Sequence, residues 1–321
     1  EETNLTVDVY DDQVTGGEPT VWVGTSHYYD GPFAFEYELS FPGVAGTCTD
    51  YTNTAVIEQT GDDAEETVTV CVEAAPEVEK SAQASFDREY FWDIVKDVNA
   101  TEVEIVGTEA TFTYTVTTSP EGFEDSGWTL AGEISVTNPN DFQELTVTVT
   151  DVPSMGGDCT VVDDEDVVLA PSETRVFAYS CTYEELAEED YQGTNTAYVA
   201  WTNVAGMPQS TPSTPVDVVF ELDGETNLTV DVYDDKVTGE APGELLGTSH
   251  YYDGEFVFTY DLTLPGVAGE CVTHTNTAVI PATGDGDDQT VTVCVELAPV
   301  VSKTAAASFD RTYDWLIEKS V

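Results

Sequence analysis

The sequence has 321 residues, of which 63 are acidic and 8 are basic, giving a net charge near −55. Because so acidic a surface repels nucleic acid and anionic membranes, we expect neither partner, and no apolar run reaches the ~20 residues that span a bilayer. Hydrophobic residues make up 40 %, which is enough for packed cores. The first residues, "EETN", show no signal peptide and favour a mature protein or an internal fragment.

The first predicted domain, 1–76, consists of five strands separated by turns rich in Gly, Asp and Pro. Leu5, Val7 and Val9 alternate with polar residues, and this period of two is typical of a strand with one buried face. The five strands are predicted near "LTVDVY", "TVWVG", "FAFEYELSF", "CTDYTNTAVI" and "ETVTVCVE".

A larger domain is predicted over 77–222. Short apolar-alternating segments recur there at regular spacing between turn signals, which is typical of an antiparallel β-sandwich. The acidic segment "EELAEED" at 184–190 favours a helical turn. The eight predicted strands are "ASFDREYFWDIVKDV", "ATFTYTVTTS", "GWTLAGEISVTN", "ELTVTVTDV", "DCTVV", "TRVFAYSCTY", "NTAYVAWTN" and "TPVDVVFEL".

The sequence then repeats itself. A shift of 223 residues aligns 1–98 with 224–321 without a gap, and 64 of the 98 aligned residues are identical. Residues 223–299 are therefore predicted to be a second copy of the small domain, and 300–321 to be the first strand of another large domain. An unpaired strand is also a template for another chain, so 300–321 could instead be a donor strand that completes a neighbouring subunit. The two interpretations are compatible.

Six cysteines fall as one pair per domain, 22 or 23 residues apart, on either side of a turn signal. Folding the chain at these turns would bring each pair together on adjacent strands or across a sandwich, so we expect three disulfides and an oxidising, extracellular or cell-surface location. Free thiols are the alternative; a metal site is disfavoured because no CxxC spacing occurs. The pairs are Cys48 with Cys71, Cys159 with Cys181, and Cys271 with Cys294.

Acidic turns recur in both small domains and suggest a Ca²⁺ site. Hard cations need six to eight oxygen ligands, which carboxylates gathered from two loops at one end of a sandwich can supply. The alternative is that these are solvated turn aspartates. The candidate ligands are Asp11, Asp12, Asp30, Asp234, Asp235 and Asp253.

Lysines are so scarce that those in the strand "FDREYFWDIVKDV" and its surroundings stand out. They suggest intramolecular amide bonds to Asn or Asp side chains, a link that needs a nearby acid as a proton carrier; ordinary salt bridges explain the same residues. The lysines are Lys80, Lys96, Lys303 and Lys319.

Motifs for catalysis are weak, and we expect no enzyme. Ser26, His27 and Asp30 are too close in sequence for a catalytic triad on one loop. Three N-glycan acceptor patterns are present, and an exported location would make them usable. They place candidate glycans on Asn4, Asn99 and Asn227.

The segments "FDRTYDWLIEKSV" at 309–321, "WTLAGEISVTNPN" at 128–140, "GTNTAYVAW" at 193–201 and "TNTAVI" at 52–57 resemble tandem Ig-like or fibronectin-like repeats of bacterial surface and exported proteins. The resemblance covers nearly the whole chain. It implies an all-β fold of tandem antiparallel Ig-like β-sandwich domains, alternating small and large.

The predicted function is that of a structural subunit of an extracellular fibre, sheath or surface stalk. Its partners would be copies of itself, either joined by strand complementation or linked in one array, with calcium stiffening the joints. The alternative is an adhesin-type module in which loop aromatics stack on glycans. Those aromatics are Tyr28, Tyr29, Tyr251 and Tyr252.

Overall fold

The computed structural model describes residues 2–187 and 191–321. It is built of β-sheets that are antiparallel apart from the parallel pair β7 (Glu102–Ile105) and β20 (Asp285–Val295), which confirms the predicted all-β fold class. The chain packs as two compact units: Glu1–Arg88 with Glu124–Glu225, and Glu89–Phe123 with Thr226–Val321. Among the described residues, no helix has the length and apolar character needed to cross a membrane.

The first copy of the small domain, in the first unit, forms a four-stranded sheet of order β2-β1-β3-β4. The residues that follow β2 make a short 3₁₀ turn at Tyr28–Asp30, and the predicted strand "FAFEYELSF" is not a strand here. The four strands are β1 (Thr6–Asp11), β2 (Val21–His27), β3 (Thr47–Ile57) and β4 (Asp63–Val72).

The rest of the first unit is a sandwich with a buried core. On one side β12 pairs with β10 and β8, and β8 also pairs with β5. On the other, β13 pairs with β15, β9 and β14, and β9 pairs with β11. The strands are β5 (Glu77–Lys80), β6 (Gln83–Val98), β8 (Glu109–Thr137), β9 (Leu145–Pro153), β10 (Asp158–Val161), β11 (Val167–Leu169), β12 (Thr174–Thr182), β13 (Gln192–Thr202), β14 (Pro208–Pro212) and β15 (Val216–Thr226). The strand β7 (Glu102–Ile105), between β6 and β8 in the chain, belongs to the second unit.

The alternation of inward-facing and outward-facing residues along the strands explains this core. Trp128, Leu130, Ile134 and Val136 take the inward positions of β8, and the ring of Trp128 stacks on that of Phe86 with centroids 4.4 Å apart. Burying aromatic rings of this size supplies much of the apolar area that stabilises a sandwich.

The second unit contains the second copy of the small domain, which forms a five-stranded sheet of order β17-β16-β19-β20-β7. A further strand, β18, pairs with β8 from Phe256 opposite Thr118 to Pro265 opposite Glu109. The strands are β16 (Thr229–Asp234), β17 (Glu244–His250), β18 (Phe256–Pro265), β19 (Cys271–Ile280) and β20 (Asp285–Val295).

Two long strands are shared between the units. β6 contributes Gln83–Arg88 to the first and Glu89–Val98 to the second, and β8 is divided after Phe123. The second small domain is thus completed by chain predicted to belong to the large domain. The domain boundaries predicted at 76, 222 and 299 stay predictions. The two compact units divide the chain elsewhere, after Arg88, Phe123 and Glu225.

Residues 300–321 form no strand and are exposed throughout. In the predicted helical turn at 184–190, residues 184–187 are not helical and 188–190 lie outside the described residues.

Candidate functional site: buried lysine, aspartate and asparagine clusters

The first cluster lies inside the first unit and consists of Lys80, Asp151, Asn195 and Tyr179. Lys80 Nζ lies 2.5 Å from Asp151 Oδ1, and both side chains are fully buried. Asn195 Nδ2 donates to the other oxygen of that carboxylate, Oδ2, at 2.9 Å. The Lys80 ammonium also lies 3.2 Å from the centroid of the Tyr179 ring, a cation–π contact. One carboxylate therefore holds the lysine and the asparagine together.

The second cluster lies inside the second unit and consists of Lys96, Asp234, Asn276, Tyr260 and Tyr114. Lys96 Nζ pairs with Asp234 Oδ2, and both side chains are fully buried. The lysine donates to the Tyr260 hydroxyl at 2.8 Å, and Asn276 Nδ2 donates to the same hydroxyl at 2.8 Å. The Tyr114 ring stacks on Tyr260 at 5.7 Å.

The strand period places Lys96 in the interior. Tyr90, Trp92 and Ile94 occupy the preceding inward positions of β6 and are buried, and Lys96 takes the next one. Its backbone is fixed on the neighbouring strand, since the Lys96 N–H donates to Asp287 Oδ2 at 2.7 Å. A buried ammonium is tolerated there because a carboxylate faces it.

Burial changes the acid–base chemistry of both clusters. Desolvation lowers the pKa of Lys80 and of Lys96, and the facing carboxylates of Asp151 and Asp234 oppose that shift in part. Burial also raises the pKa of Tyr114 to about 12. The lysine amines are therefore easier to deprotonate than an exposed lysine.

The buried asparagines carry unsatisfied oxygens. Among the described residues, five buried side-chain polar atoms have no hydrogen-bond partner, and three of them are the Oδ1 atoms of Asn53, Asn195 and Asn276. Each such oxygen costs roughly 1–3 kcal/mol, so their recurrence on equivalent residues and in both clusters calls for a functional reason.

The first small domain contains the same cluster without a lysine. Asp11, Tyr37 and Asn53 correspond to Asp234, Tyr260 and Asn276 at the 223-residue shift. The Tyr37 hydroxyl donates to Asp11 Oδ2 at 2.6 Å, and Asn53 Nδ2 donates to that hydroxyl at 2.6 Å. No lysine forms an ion pair with Asp11 in the described part of the chain.

The predicted calcium ligands fall into two types. Asp11, Asp12 and Asp234 are buried, and Asp12 Oδ1 accepts from the backbone N–H groups of Val14 and Thr54. Asp30 and Asp253 are exposed in 3₁₀ turns, and Asp235 accepts from the backbone N–H groups of Val237 and Thr277.

Within 2–187 and 191–321, one group of three or more close metal-ligating side chains occurs, Asp151 with Cys159 and Cys181, and its two cysteines are bonded to each other. Calcium binding stays a prediction.

The six cysteines form three disulfides between adjacent antiparallel strands, one of the two arrangements left open by the sequence. Each pair lies directly opposite in register, with Cα atoms about 4 Å apart. The bonds are Cys48–Cys71 across β3 and β4, Cys159–Cys181 across β10 and β12, and Cys271–Cys294 across β19 and β20.

The remaining candidate residues lie near the surface. Asn4 and Asn99 are exposed and Asn227 is half-buried, and glycosylation of all three stays a prediction. His27 accepts through Nδ1 from the Tyr29 backbone N–H, a capping contact at the start of the 3₁₀ turn.

The loop tyrosines behave differently in the two copies. Tyr28 and Tyr29 are exposed, and so is Tyr252, whose hydroxyl shares a hydrogen bond with that of Tyr90 at 2.8 Å. Tyr251 instead packs on the Tyr90 ring at 4.4 Å and against the core of the second unit, which gives this residue a role other than binding glycans.

Sequence reasoning found the two lysines through their scarcity but missed Asp151, Asn195 and Asn276. No local motif marks an inward-facing Asp in a chain with 63 acidic residues. The internal repeat did carry a signal, because the Asp, Tyr and Asn of the second cluster all recur at the same shift.

No protein-family model matches the chain, and no curated protein matches it in sequence. Among solved structures, the periplasmic chaperone SfaE matches at 12 % identity and a TM-score of 0.22, over 63 % of this chain and 100 % of that one. BcpA, the major pilin subunit of Bacillus cereus, matches at 12 % identity and a TM-score of 0.17, over 92 % of this chain and 93 % of that one. A point variant of the same pilin matches at 11 % identity and the same TM-score, over 91 % and 93 %. Scores this low transfer no function to the chain.

Proposed function

We propose that this protein is a structural subunit of an extracellular fibre, sheath or surface stalk, in which strands of one repeat complete the small sandwich of another. The single observation that carries the proposal is a difference in burial. Identical residues of the two small domains are buried in the second copy and remain partly exposed in the first.

The difference is clearest on the face covered by β6 and β8 in the second unit. Val291 is fully buried there, whereas Val68, its counterpart, is 50 % exposed. Likewise Val232 is buried and Val9 is half-buried. In the second copy these residues pack with Trp92 and other residues of 89–123. The first copy presents the same apolar face without that cover, and so has a place for equivalent strands.

The segment 309–321 has the residues needed to cover this apolar face of the first small domain. It repeats β6 at alternate positions, so that Tyr313, Trp315 and Ile317 match the buried Tyr90, Trp92 and Ile94. Trp315 and Ile317 are 90 % and 92 % exposed. Large apolar residues on one face of an exposed segment favour pairing with another surface.

The polar groups of the two surfaces also match. Lys319 occupies the repeat position of Lys96, so a docked 309–321 segment would bring an ammonium beside Asp11 and Asn53. The lysine missing from the first small domain is therefore supplied by the same segment that covers its apolar face. The donor would come from an adjacent repeat, in the same chain or in a neighbouring one.

Extracellular use is supported by the three disulfides, since such bonds persist in oxidising compartments. Strand pairing with a buried apolar face also suits a load-bearing joint, because separating it exposes the whole face to water at once.

The test is the assembly state of the full chain over a wide range of protein concentration, measured by light scattering and electron microscopy. We expect concentration-dependent multimers with the native chain and loss of them with Trp315→Ser/Ile317→Ser. The matched control is Leu316→Ser, because Leu316 is 86 % exposed but matches Asp93 on the outward face of β6. Monomers at every concentration, or equal loss with the control, would count against complementation between chains.

A further inference from the structure

We propose that each complete cluster closes a covalent amide bond between its lysine and its asparagine, with its aspartate as the proton carrier. The bonds join Lys80 to Asn195 in the first unit and Lys96 to Asn276 in the second. They are internal to each unit, so this proposal does not depend on assembly of the chain.

In the first cluster the geometry places both reactants on one carboxylate. Asp151 Oδ1 contacts the Lys80 nitrogen at 2.5 Å, and its Oδ2 accepts from the Asn195 carboxamide at 2.9 Å. An acid that contacts the nucleophile and the leaving group at once can take a proton from the first and return it to the second. Holding the groups together in this way removes the entropic cost of bringing them together.

In the second cluster a tyrosine hydroxyl, and not the carboxylate, joins the two reactants. Lys96 and Asn276 both donate to the Tyr260 hydroxyl at 2.8 Å, and Lys96 also pairs with Asp234. The two clusters use different strands and neighbours, so they supply the same chemistry independently.

The reaction balances without an added reactant. The aspartate takes one proton from the lysine ammonium, and the neutral amine attacks Cγ of the asparagine carboxamide. The tetrahedral intermediate then collapses as the C–N bond to Nδ2 breaks. The aspartate carries one proton from the attacking amine to Nδ2, which leaves as ammonia. The products are one secondary amide, one molecule of ammonia and a protonated aspartate.

Burial favours each step. A desolvated lysine is more readily neutral and hence nucleophilic, in line with its lowered pKa. The asparagine Oδ1 has no hydrogen-bond partner in either cluster. Such an unsatisfied oxygen is costly in a folded core, so a reaction that consumes the carboxamide relieves a strained polar group.

Lys236 provides the contrast. Its side chain is 27 % exposed and pairs with Glu244, and no buried asparagine lies against it in the described contacts. Among the described residues, only the two enclosed lysines combine burial, a carboxylate and an asparagine.

The test is the intact mass of the full chain after reduction of its disulfides. We expect a deficit of two ammonia molecules, about 34 Da, against the mass of the sequence, and a deficit of about 17 Da in Asn195→Ala and in Asn276→Ala. Asp151→Asn, which keeps the shape but not the acid, should lose the first bond alone. Lys236→Ala is the control and should keep the full deficit.

Peptide mapping of the native chain keeps the proposal testable should a cluster variant fail to fold. We expect branched peptides that link Lys80 to Asn195 and Lys96 to Asn276, and resistance to trypsin at both lysines. Linear peptides with the full sequence mass would overturn the proposal and leave two buried salt bridges. A deficit of about 18 Da per bond would overturn it as well, because loss of water marks a lysine–aspartate link.

Discussion

Trp92 is 3 % exposed and Trp315, which occupies the same position of the repeat, is 90 % exposed. The two residues lie in segments that share every second residue, "YFWDIVK" and "YDWLIEK", so the pattern of inward-facing residues does not separate them. What separates them is the apolar face that β6 covers in the second unit. Tertiary partners, and not the inward-facing residues of the strand alone, decide whether this segment forms a strand and is buried.

This pair gives a matched stability prediction. Trp92→Ala should lower the free energy of unfolding by about 3–5 kcal/mol, because it leaves a cavity in a packed core. Trp315→Ala should change it by less than about 0.5 kcal/mol in dilute solution, where that ring contacts mainly water. Urea unfolding followed by circular dichroism measures both. A large effect of Trp315→Ala on the monomer would show that the segment packs onto its own chain.

How far the sequence predicted the fold depends on the range of each interaction. The strand period, the turns and the cysteine spacing are local signals, and they gave the all-β class and the segments that became most strands. The pairing of Phe256 with Thr118 joins residues that are distant in sequence, and no local pattern marks it. The division of β6 and β8 between two units was missed for the same reason.

The candidate site shows the same contrast between local sequence signals and contacts distant in sequence. Lys80 and Lys96 were found because lysine is rare here, but Asp151 and Asn195 were not, since their importance comes from three strands meeting in the interior. Asp234 was singled out as a calcium ligand, and the structure gives it a lysine partner in place of solvent. Composition shows which residues are unusual, whereas only packing shows which of them meet.

Acid should destabilise the first unit through Asp125. Arg88 donates from Nε and Nη2 to the two Asp125 oxygens at 2.6 and 2.7 Å, and this bidentate contact lowers the pKa of Asp125. Because the folded state holds this carboxylate ionised below its usual pKa near 3.9, its stabilising effect is complete above that pH and is lost as the pH falls through the lowered value.

The melting temperature between pH 6 and pH 2 measures this contribution. Asp125→Asn should lower the melting temperature at pH 6 and flatten its decline in acid. Glu165→Gln, in the exposed turn between β10 and β11, is the control and should leave the acid limb unchanged. An acid limb that is as steep in Asp125→Asn as in the native chain would contradict the assignment.

The disulfides should stabilise mainly by restricting the unfolded chain. Cys159 and Cys181 close a loop of 22 residues, for which chain entropy predicts about 3 kcal/mol. Cys159→Ser/Cys181→Ser should therefore lower the free energy of unfolding by about that amount while native circular dichroism is retained. Thr160→Ser, on β10 next to Cys159, serves as a conservative control. A loss well below 1 kcal/mol would indicate that residual structure already restricts the unfolded chain.

Salt and calcium can be separated as sources of stability. With a net charge near −55, self-repulsion should be screened by any salt, so the melting temperature should rise with NaCl and with KCl alike. The predicted calcium sites instead require a rise with micromolar CaCl₂ that MgCl₂ at equal ionic strength does not reproduce. Asp30→Asn/Asp253→Asn should then reduce that rise, and equal responses to the two divalent salts would argue against calcium ligands at these positions.

Complementation and amide formation together predict a covalent ladder. If a 309–321 segment docks on the first small domain of another chain, Lys319 meets Asp11 and Asn53 in the arrangement that Lys96 has with Asp234 and Asn276. The docked lysine should then form the same amide, and multimers should survive boiling in detergent and reductant. Lys319→Met should abolish the ladder while keeping the apolar contact, so that multimers still form under native conditions.

Lys303→Met is the matched control, because Lys303 repeats Lys80 and its partners lie outside the small domain. A ladder that persists in Lys319→Met would place the covalent joint elsewhere, and native multimers that dissociate fully in detergent would restrict the amide bonds to the interior of each unit.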